Sequence, residues 1–442
     1  MEILNAWLEK ASAAVWGAPL IILLFGTHLY LTFRLGFIQR YLPKAIKLSF
    51  TRSGKDEGAG DISHFGALTT ALAATIGTGN IVGVATAVAA GGPGAVLWMW
   101  LTGVFGIATK YAEALLSVKY RVTLPGGAMA GGPMYVLERA LNARWLGLIF
   151  AFFTAVAAFG IGNMVQANSI AQMLHESFGL ATWISGAAMA GLTAVVVLGG
   201  IKSIARVCER LVPFMAVFYV LGCAVILLLN FDKLPGTIAL ILSSAFSGQA
   251  AVGGFLGAGA KEAMRYGIAR GLFSNESGLG SAPIVAAAAQ TRNPVRQALV
   301  SSTGTFWDTV VVCLITGLVI VSAGDWQSGL KGAALTKSAF SHIPYIGPAV
   351  LSLGLLTFVF STILGWEYYG EKAAEYLLGV RAVKPYRYLW IAAVMTGSVA
   401  ALPAVWNFAD IFNGLMAVPN LVSLLLLAPV AAAETKKYID EP

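Results

Sequence analysis

The chain has 442 residues, 57% of them hydrophobic and 11% charged, with a formal net charge of +8. A soluble domain carries about 25% charged residues, so this composition excludes a water-covered globule and points to a polytopic membrane protein. Cys208, Cys223 and Cys313 form no CxxC pair, and His28, His64, His175 and His342 are scattered, which excludes a disulfide framework and a metal-ligand cluster.

A spanning helix needs about 20 apolar residues. Eleven segments qualify, at 13–35, 64–90, 93–120, 145–173, 181–199, 206–230, 235–260, 296–323, 345–370, 386–403 and 407–431. The first follows no basic n-region, so it reads as a retained helix and not a cleaved signal. No segment alternates with period two, which argues against a barrel. The expected fold class is therefore an all-α polytopic membrane protein with 11 transmembrane helices. Taking the loops alternately, 25 of the 29 lysines and arginines fall on one side. Lys261, Arg265, Arg270, Arg292 and Arg296 are counted there, in a loop after the seventh helix. That bias puts the N-terminus outside and the C-terminus in the cytoplasm of a cell-membrane protein. The basic charge is then a topology signal, with no nucleic acid implied.

The second span contains AATIGTGNIVGVATAVAAGGPGA, Ala73 to Ala95. Its centre, Gly77-Thr78-Gly79-Asn80, is a poor helix, because each glycine costs about 1 kcal/mol against alanine and Asn80 has hydrogen-bonding groups that hydrocarbon cannot satisfy. Gly77 to Gly83 reads GxGxxxG on an apolar helix pattern, so it is not the dinucleotide fingerprint, which follows a strand. Gly79 and Gly83 would also serve close helix packing, but packing needs neither Thr75, Thr78 nor Asn80. A discontinuous helix accounts for all of them. Its second half would present N–H groups and a positive dipole end near Thr78 to Asn80, suited to a carboxylate. Its first half would present carbonyls near Ala73 to Ile76, suited to a cation.

Helices two to six and seven to eleven make two groups of five, which have opposite topology because five is odd. The seventh span, SSAFSGQAAVGGFLGAGA from Ser243 to Ala260, carries Gly248, Gln249, Gly253 and Gly254 at a corresponding position. Two glycine-interrupted helices opening two inverted halves is the pattern of a secondary transporter. The expected division of this single transporter domain is 1–63 for an extra first helix and its loop, 64–230 and 235–431 for the two repeats, and 432–442 for a cytoplasmic tail.

Longer blocks resemble the alanine or glycine:cation symporter family. They are Gly77–Trp100, GGPMYVLE (Gly131–Glu138), GNMVQANS (Gly162–Ser169), ARGLFSNESGLGSAP (Ala269–Pro283) and NGLMAVPNL (Asn413–Leu421). The resemblance implies a leucine-transporter-like fold of five plus five inverted helices. It also implies symport of a small neutral amino acid (alanine, glycine, D-alanine or serine) with sodium, by alternating access and without a cofactor. Carried over by position, it implies that the Thr78 and Gly79 N–H groups and the Asn80 side chain hold the substrate carboxylate, with Gln166 as a further contact and Asn163 a weaker one. By similarity to the wider fold, the Ser361 and Thr362 hydroxyls with carbonyls near Ala73, Ile76 and Phe358 would cage sodium, and Trp366 would wall the pocket. The seventh-helix break, about Gly253, would offer a carbonyl to the substrate ammonium.

Other groups read more plainly. Asp308 and Asp410 are intramembrane carboxylates that either bind ions or cap helix ends. Lys110 and Glu113 read as an i,i+3 ion pair, Asn275 to Ser281 as a glycine-rich turn or gate inside the cell, and Glu367 with Glu371 as the membrane edge. His175-Glu176 is not HExxH and no GxxxxGK[ST] occurs, so a zinc protease and an ATP-driven pump are excluded. A proton-coupled carrier using Asp308 and an amino-acid channel are the alternatives to sodium symport.

Overall fold

The computed structural model describes residues 2–51, 58–246, 259–400 and 403–440. In chain order its helices are α1 (Glu2–Val15), α2 (Ala18–Arg34), α3 (Leu42–Phe50), α4 (His64–Thr75), α5 (Val84–Gly91), α6 (Ala95–Lys119), α7 (Pro133–Leu141), α8 (Arg144–Ala157), α9 (Val165–Phe178) and α10 (Thr182–Val197). There follow α11 (Gly200–Leu229), α12 (Leu234–Phe246), α13 (Ala260–Asn275), α14 (Pro283–Ala286), α15 (Pro294–Thr305), α16 (Leu314–Ala323), α17 (Gly332–Ser341), α18 (Ile346–Leu378), α19 (Val383–Val399) and α20 (Pro403–Asp440). A two-residue antiparallel pairing of Val122 with Ala130 closes the turn after α6. The fold is all-α, as the composition requires.

Six helices or helix runs are long and apolar enough to cross a bilayer: Asn5–Arg34, Arg144–Phe178, Gly200–Leu229, Pro294–Ala323, Ile346–Leu378 and Val405–Asp440. The pair His64–Thr75 and Gly79–Gly91, bent by 53°, makes a seventh. The second segment thus breaks where Gly77-Thr78-Gly79-Asn80 stands. Ser63 starts it as a helix cap, its hydroxyl accepting the Gly66 N–H at 2.8 Å. α6 and α18 form the centre. Every residue of α6 from Gly106 to Val118 is buried, and so is every residue of α18 from Ser361 to Glu375.

The structure corrects the seventh element. Residues 261–275, expected in a loop, form α13, which runs parallel to α6 along its length. A Cβ on Gly267 would lie 2.4 Å from the Ala95 carbonyl oxygen, and one on Gly271 2.1 Å from Thr102 Oγ1. Further along, the Ser117 hydroxyl donates to the Pro283 carbonyl at 2.7 Å, and Arg121 donates to the carbonyls of Ala287 and Ala289. The chain from Ala260 to Ala289 therefore covers the distance α6 covers, and it breaks after Asn275, where Glu276, Gly278 and Gly280 all have positive φ. Lys261 and Arg265 lie at the end where α5 meets α6, away from the other basic residues; the Gly91 Cβ position is 3.0 Å from the Glu262 carbonyl oxygen. The expected break at Gly248–Gly254, Gly253 included, lies outside the described residues.

At the opposite end Arg121 closes the molecule. Its guanidinium donates to four carbonyls, those of Ala59, Ala287, Ala289 and Thr291, at 2.7–2.9 Å. The segment before α4 runs beside the segment after α14, with Ile62 bridged in parallel to Ala289. Both broken helices are thus fastened at this end by one side chain just beyond α6.

The stripe Ala263, Gly267 and Gly271 sets how closely α13 meets α6. We expect Gly271→Val to overpack against Thr102 and Met99 and to destabilise the fold by about 1–3 kcal/mol. Thermal unfolding of the purified variant would show it as a lowered midpoint; an unchanged midpoint would mean the contact is slack.

Candidate functional site: two buried breaks joined by carboxylates

α4 ends at Thr75, and Ile76 turns extended with φ −77° and ψ 94°. The break leaves the Gly77 N–H without a helical partner, and the Asn80 side chain supplies one, its Oδ1 accepting that N–H at 2.9 Å. The same amide donates to Asp308 Oδ1 at 2.6 Å. Asp308 Oδ2 accepts the hydroxyls of Thr309 at 2.6 Å and Ser274 at 3.0 Å. Ser274 is the last residue but one of α13. A single buried carboxylate therefore joins the two breaks, and the Asn80 amide, expected to face a ligand, is occupied within the protein.

The second break is built in the same way. Glu113 Oε1 accepts the N–H groups of Gly278 at 3.0 Å and Gly280 at 3.1 Å, and the Asn420 amide at 2.7 Å. The expected Lys110–Glu113 ion pair is absent: Glu113 turns to the freed backbone instead, and the Lys110 ammonium makes no hydrogen bond among the described residues. The turn expected inside the cell is a buried element of the core, with Asn275, Glu276, Ser277 and Ser281 all buried.

Beside the first break, oxygens converge between α4 and α18. The Ser361 hydroxyl donates to the carbonyls of Phe358 at 2.8 Å and Ala73 at 3.3 Å. The Thr362 hydroxyl donates to the carbonyls of Phe358 at 3.0 Å and Ile76 at 3.3 Å. All five residues are buried. Two hydroxyls and three carbonyls within mutual reach form a neutral, all-oxygen group, the donor set that hard cations take. Gly77 permits the approach, since a Cβ there would lie 2.5 Å from Thr362 Oγ1.

Gln166 completes one side. The widened π-turn Ala158–Met164 precedes it, and its amide donates to the carbonyl of Ile161 at 2.8 Å and the Thr78 hydroxyl at 3.4 Å. Its Oε1 accepts no hydrogen bond and is buried. Asn163, one turn earlier, points away and donates to the Trp390 carbonyl at 2.9 Å. Trp366 lies in the core, with no part in an interfacial belt. Its indole N–H donates to Glu276 Oε1 at 3.0 Å, its ring meets Tyr369 edge to face, and a Cβ on Gly162 would overlap it at 2.2 Å.

The structure thus brings together Ala73, Ile76, Thr78, Gly79, Asn80, Gln166, Phe358, Ser361, Thr362 and Trp366, which the sequence had singled out. It adds Asp308, Ser274, Glu113 and Glu276. Glu113 and Glu276 had no readable signal as partners, because the charges of α13 disguised a helix packed along α6 as a loop. Asp410, the other intramembrane carboxylate, lies apart from them, in a cavity of about 310 Å³ shared with Arg270, Glu9 and Trp16.

Broken helices with satisfied backbone, buried in an apolar bundle, define the class as a multi-pass membrane transporter. The chain belongs to the sodium:alanine symporter family, whose model matches residues 1–442. The sodium/alanine symporter AgcS of Methanococcus maripaludis is 52% identical over 439 residues, covering 97% of this chain and 96% of that one. An uncharacterized transporter of Haemophilus influenzae is 54% identical, covering 98% and 96%. Among solved structures, MhsT in complex with L-phenylalanine superposes with a TM-score of 0.54 at 15% identity, covering 86% of this chain and 99% of that one. This likeness gives the fold, that of leucine-transporter-like carriers. The chain is a transporter and not an enzyme, and sodium is its co-transported ion, with no cofactor.

Asn80→Ala would leave the Gly77 N–H without its acceptor and take from Asp308 the donor to its Oδ1 and its carbonyl. We expect a loss of about 1–3 kcal/mol, read as a lowered unfolding midpoint with neither sodium nor amino acid present; a loss seen only with ligand would make Asn80 a contact and not a staple.

Proposed function

We propose that this protein imports small neutral amino acids, alanine first, with sodium across the cell membrane by alternating access. The convergence of Ala73, Ile76, Phe358, Ser361 and Thr362 oxygens beside an unwound Gly77–Thr78 carries this reading. Sodium occupies that group of oxygens. The substrate carboxylate sits on the N–H groups of Thr78 and Gly79, at the start of the half-helix leading into α5, where the dipole end is positive. Asn80 shapes that cradle through Gly77 and Asp308. The free Gln166 Oε1 accepts from the substrate ammonium, with carbonyls about Gly253, ahead of α13, as further candidates for it. Trp366 walls a pocket that suits a methyl group or hydrogen, which favours alanine and glycine, with serine and D-alanine as close variants.

In this reading the chain crosses eleven times: one extra helix, then two inverted groups of five, with the N-terminus outside and the C-terminus in the cytoplasm. The seventh crossing is Ala260 to Ala289. The ion and the substrate share the backbone of the first break, so ordering by one favours the other, and the coupling is reciprocal. One positive charge entering across 100 mV contributes about 2.3 kcal/mol. A tenfold sodium gradient adds about 1.4 kcal/mol, enough together for about 500-fold accumulation per ion.

Counterflow of alanine in proteoliposomes tests this. Uptake should require sodium and fail in potassium or choline at fixed pH; equal uptake in potassium would remove sodium coupling. Ser361→Ala and Thr362→Ala should each raise the sodium concentration for half-maximal uptake severalfold, with a smaller effect on alanine at saturating sodium. An effect on alanine alone would place sodium elsewhere.

A further inference from the structure

From the residue directly after Trp366, the interior of α18 holds more carboxylate than the ions around it balance. Glu367 is fully buried, and neither of its oxygens accepts a hydrogen bond among the described residues. Glu371, one helical turn on and so on the same face, is also buried. Arg387 of α19 donates to both oxygens of Glu371, from Nε at 2.5 Å and Nη2 at 3.1 Å. Its Nε is 4.0 Å from Glu367 Oε1. Arg387 also donates to the Leu198 carbonyl at the end of α10 at 3.3 Å. The guanidinium is committed to Glu371, so Glu367 is left over.

Among the described residues no other cation makes up the difference. Lys372 is spent on Glu375 at 2.6 Å. α19 carries Arg387, the buried Tyr386 and Lys384, which is exposed, and α18 adds Tyr368. On the remaining elements against α18, His64 of α4 bonds Gln297 and Glu209 of α11 accepts from Ser63. Cys208 of α11 is buried, and Lys202, Arg206 and Arg210 are exposed. Arg144 of α8 lies against Glu138, Lys337 of α17 against Glu176 of α9, and Arg381 after α18 is exposed.

Two buried carboxylates sharing one half-buried guanidinium carry one negative charge too many, and an isolated buried charge is unfavourable by far more than a hydrogen bond returns. We propose that Glu367 is a proton-binding site. Its carboxyl O–H donates to Glu371, whose second partner is Arg387, and the neutral trio fastens α18 to α19 and to the turn between α10 and α11. The proton comes from and returns to water; no bond other than O–H forms or breaks. Because the same helix carries Ser361, Thr362 and Trp366, proton release would loosen the wall of the transport site, and uptake becomes sensitive to pH on the side where α18 ends. This rests on the transport reading only for its effect on uptake, not for the proton itself.

Two readouts separate these. In infrared difference spectra of the purified protein, taken between acid and alkaline pH, we expect a protonated-carboxyl band in the wild type that is absent in Glu367→Gln. The amide variant copies the neutral form, so it should also fold and transport at acid pH as the wild type does. At alkaline pH wild-type alanine uptake should fall, approaching tenfold per pH unit once the site titrates, while Glu367→Gln stays level. Glu367→Asp should keep a pH dependence at a shifted midpoint.

An unchanged infrared band in Glu367→Gln overturns the proposal whatever happens to transport. So does a Glu367→Gln pH profile identical to that of the wild type. Recovery of wild-type stability at alkaline pH by sodium or potassium, but not by an organic cation, would assign the place to an alkali ion instead. A lost band with no transport in any sodium gradient would keep the proton and discard the transport reading.

Discussion

Backbone amides have no water to turn to inside a bilayer, so an interrupted helix there survives only if side chains take up what the break releases. This protein meets that demand twice, once with an amide of the broken segment itself that an acid on a neighbouring helix holds, and once with such an acid directly. Asn80 holds Gly77 and is itself held by Asp308, and Glu113 holds Gly278 and Gly280. Each staple reaches across elements, so neither break can change shape alone. The carboxylates that look expensive in a membrane are what make irregular backbone tolerable.

Much of this was legible in the sequence. The first break announces itself because glycine, threonine and asparagine interrupt an otherwise apolar run, and no other local structure uses that mixture at mid-depth. Ser361, Thr362 and Trp366 sit on one helix at spacings that share a face, and α18 places them together. The second break was hidden by α13, whose Lys261, Arg265 and Arg270 read as a basic loop. The helix tolerates them because Lys261 and Arg265 sit near one end of the bundle, while Ala263, Gly267 and Gly271 bury the opposite stripe against α6. Hydropathy averages over a helix's circumference, and here the apolar side is one stripe of small residues.

Burial also reassigned charges that looked peripheral. Glu367 and Glu371 follow an apolar run and so resemble a membrane boundary, yet both are enclosed, because α19 brings Arg387 to them. Lys110 and Glu113 share a face and resemble an ion pair, yet Glu113 prefers two backbone N–H groups and an amide. Sequence spacing identifies which residues could meet on one helix; it does not report the partner arriving from a helix distant in the chain.

Arg121 carries a mechanical consequence. Its four acceptors belong to two strands of chain, one entering α4 and one leaving α14, and the guanidinium is planar and stiff. Parting of those strands would stretch all four contacts together, so the two segments are tied as a pair and one cannot shift far without the other.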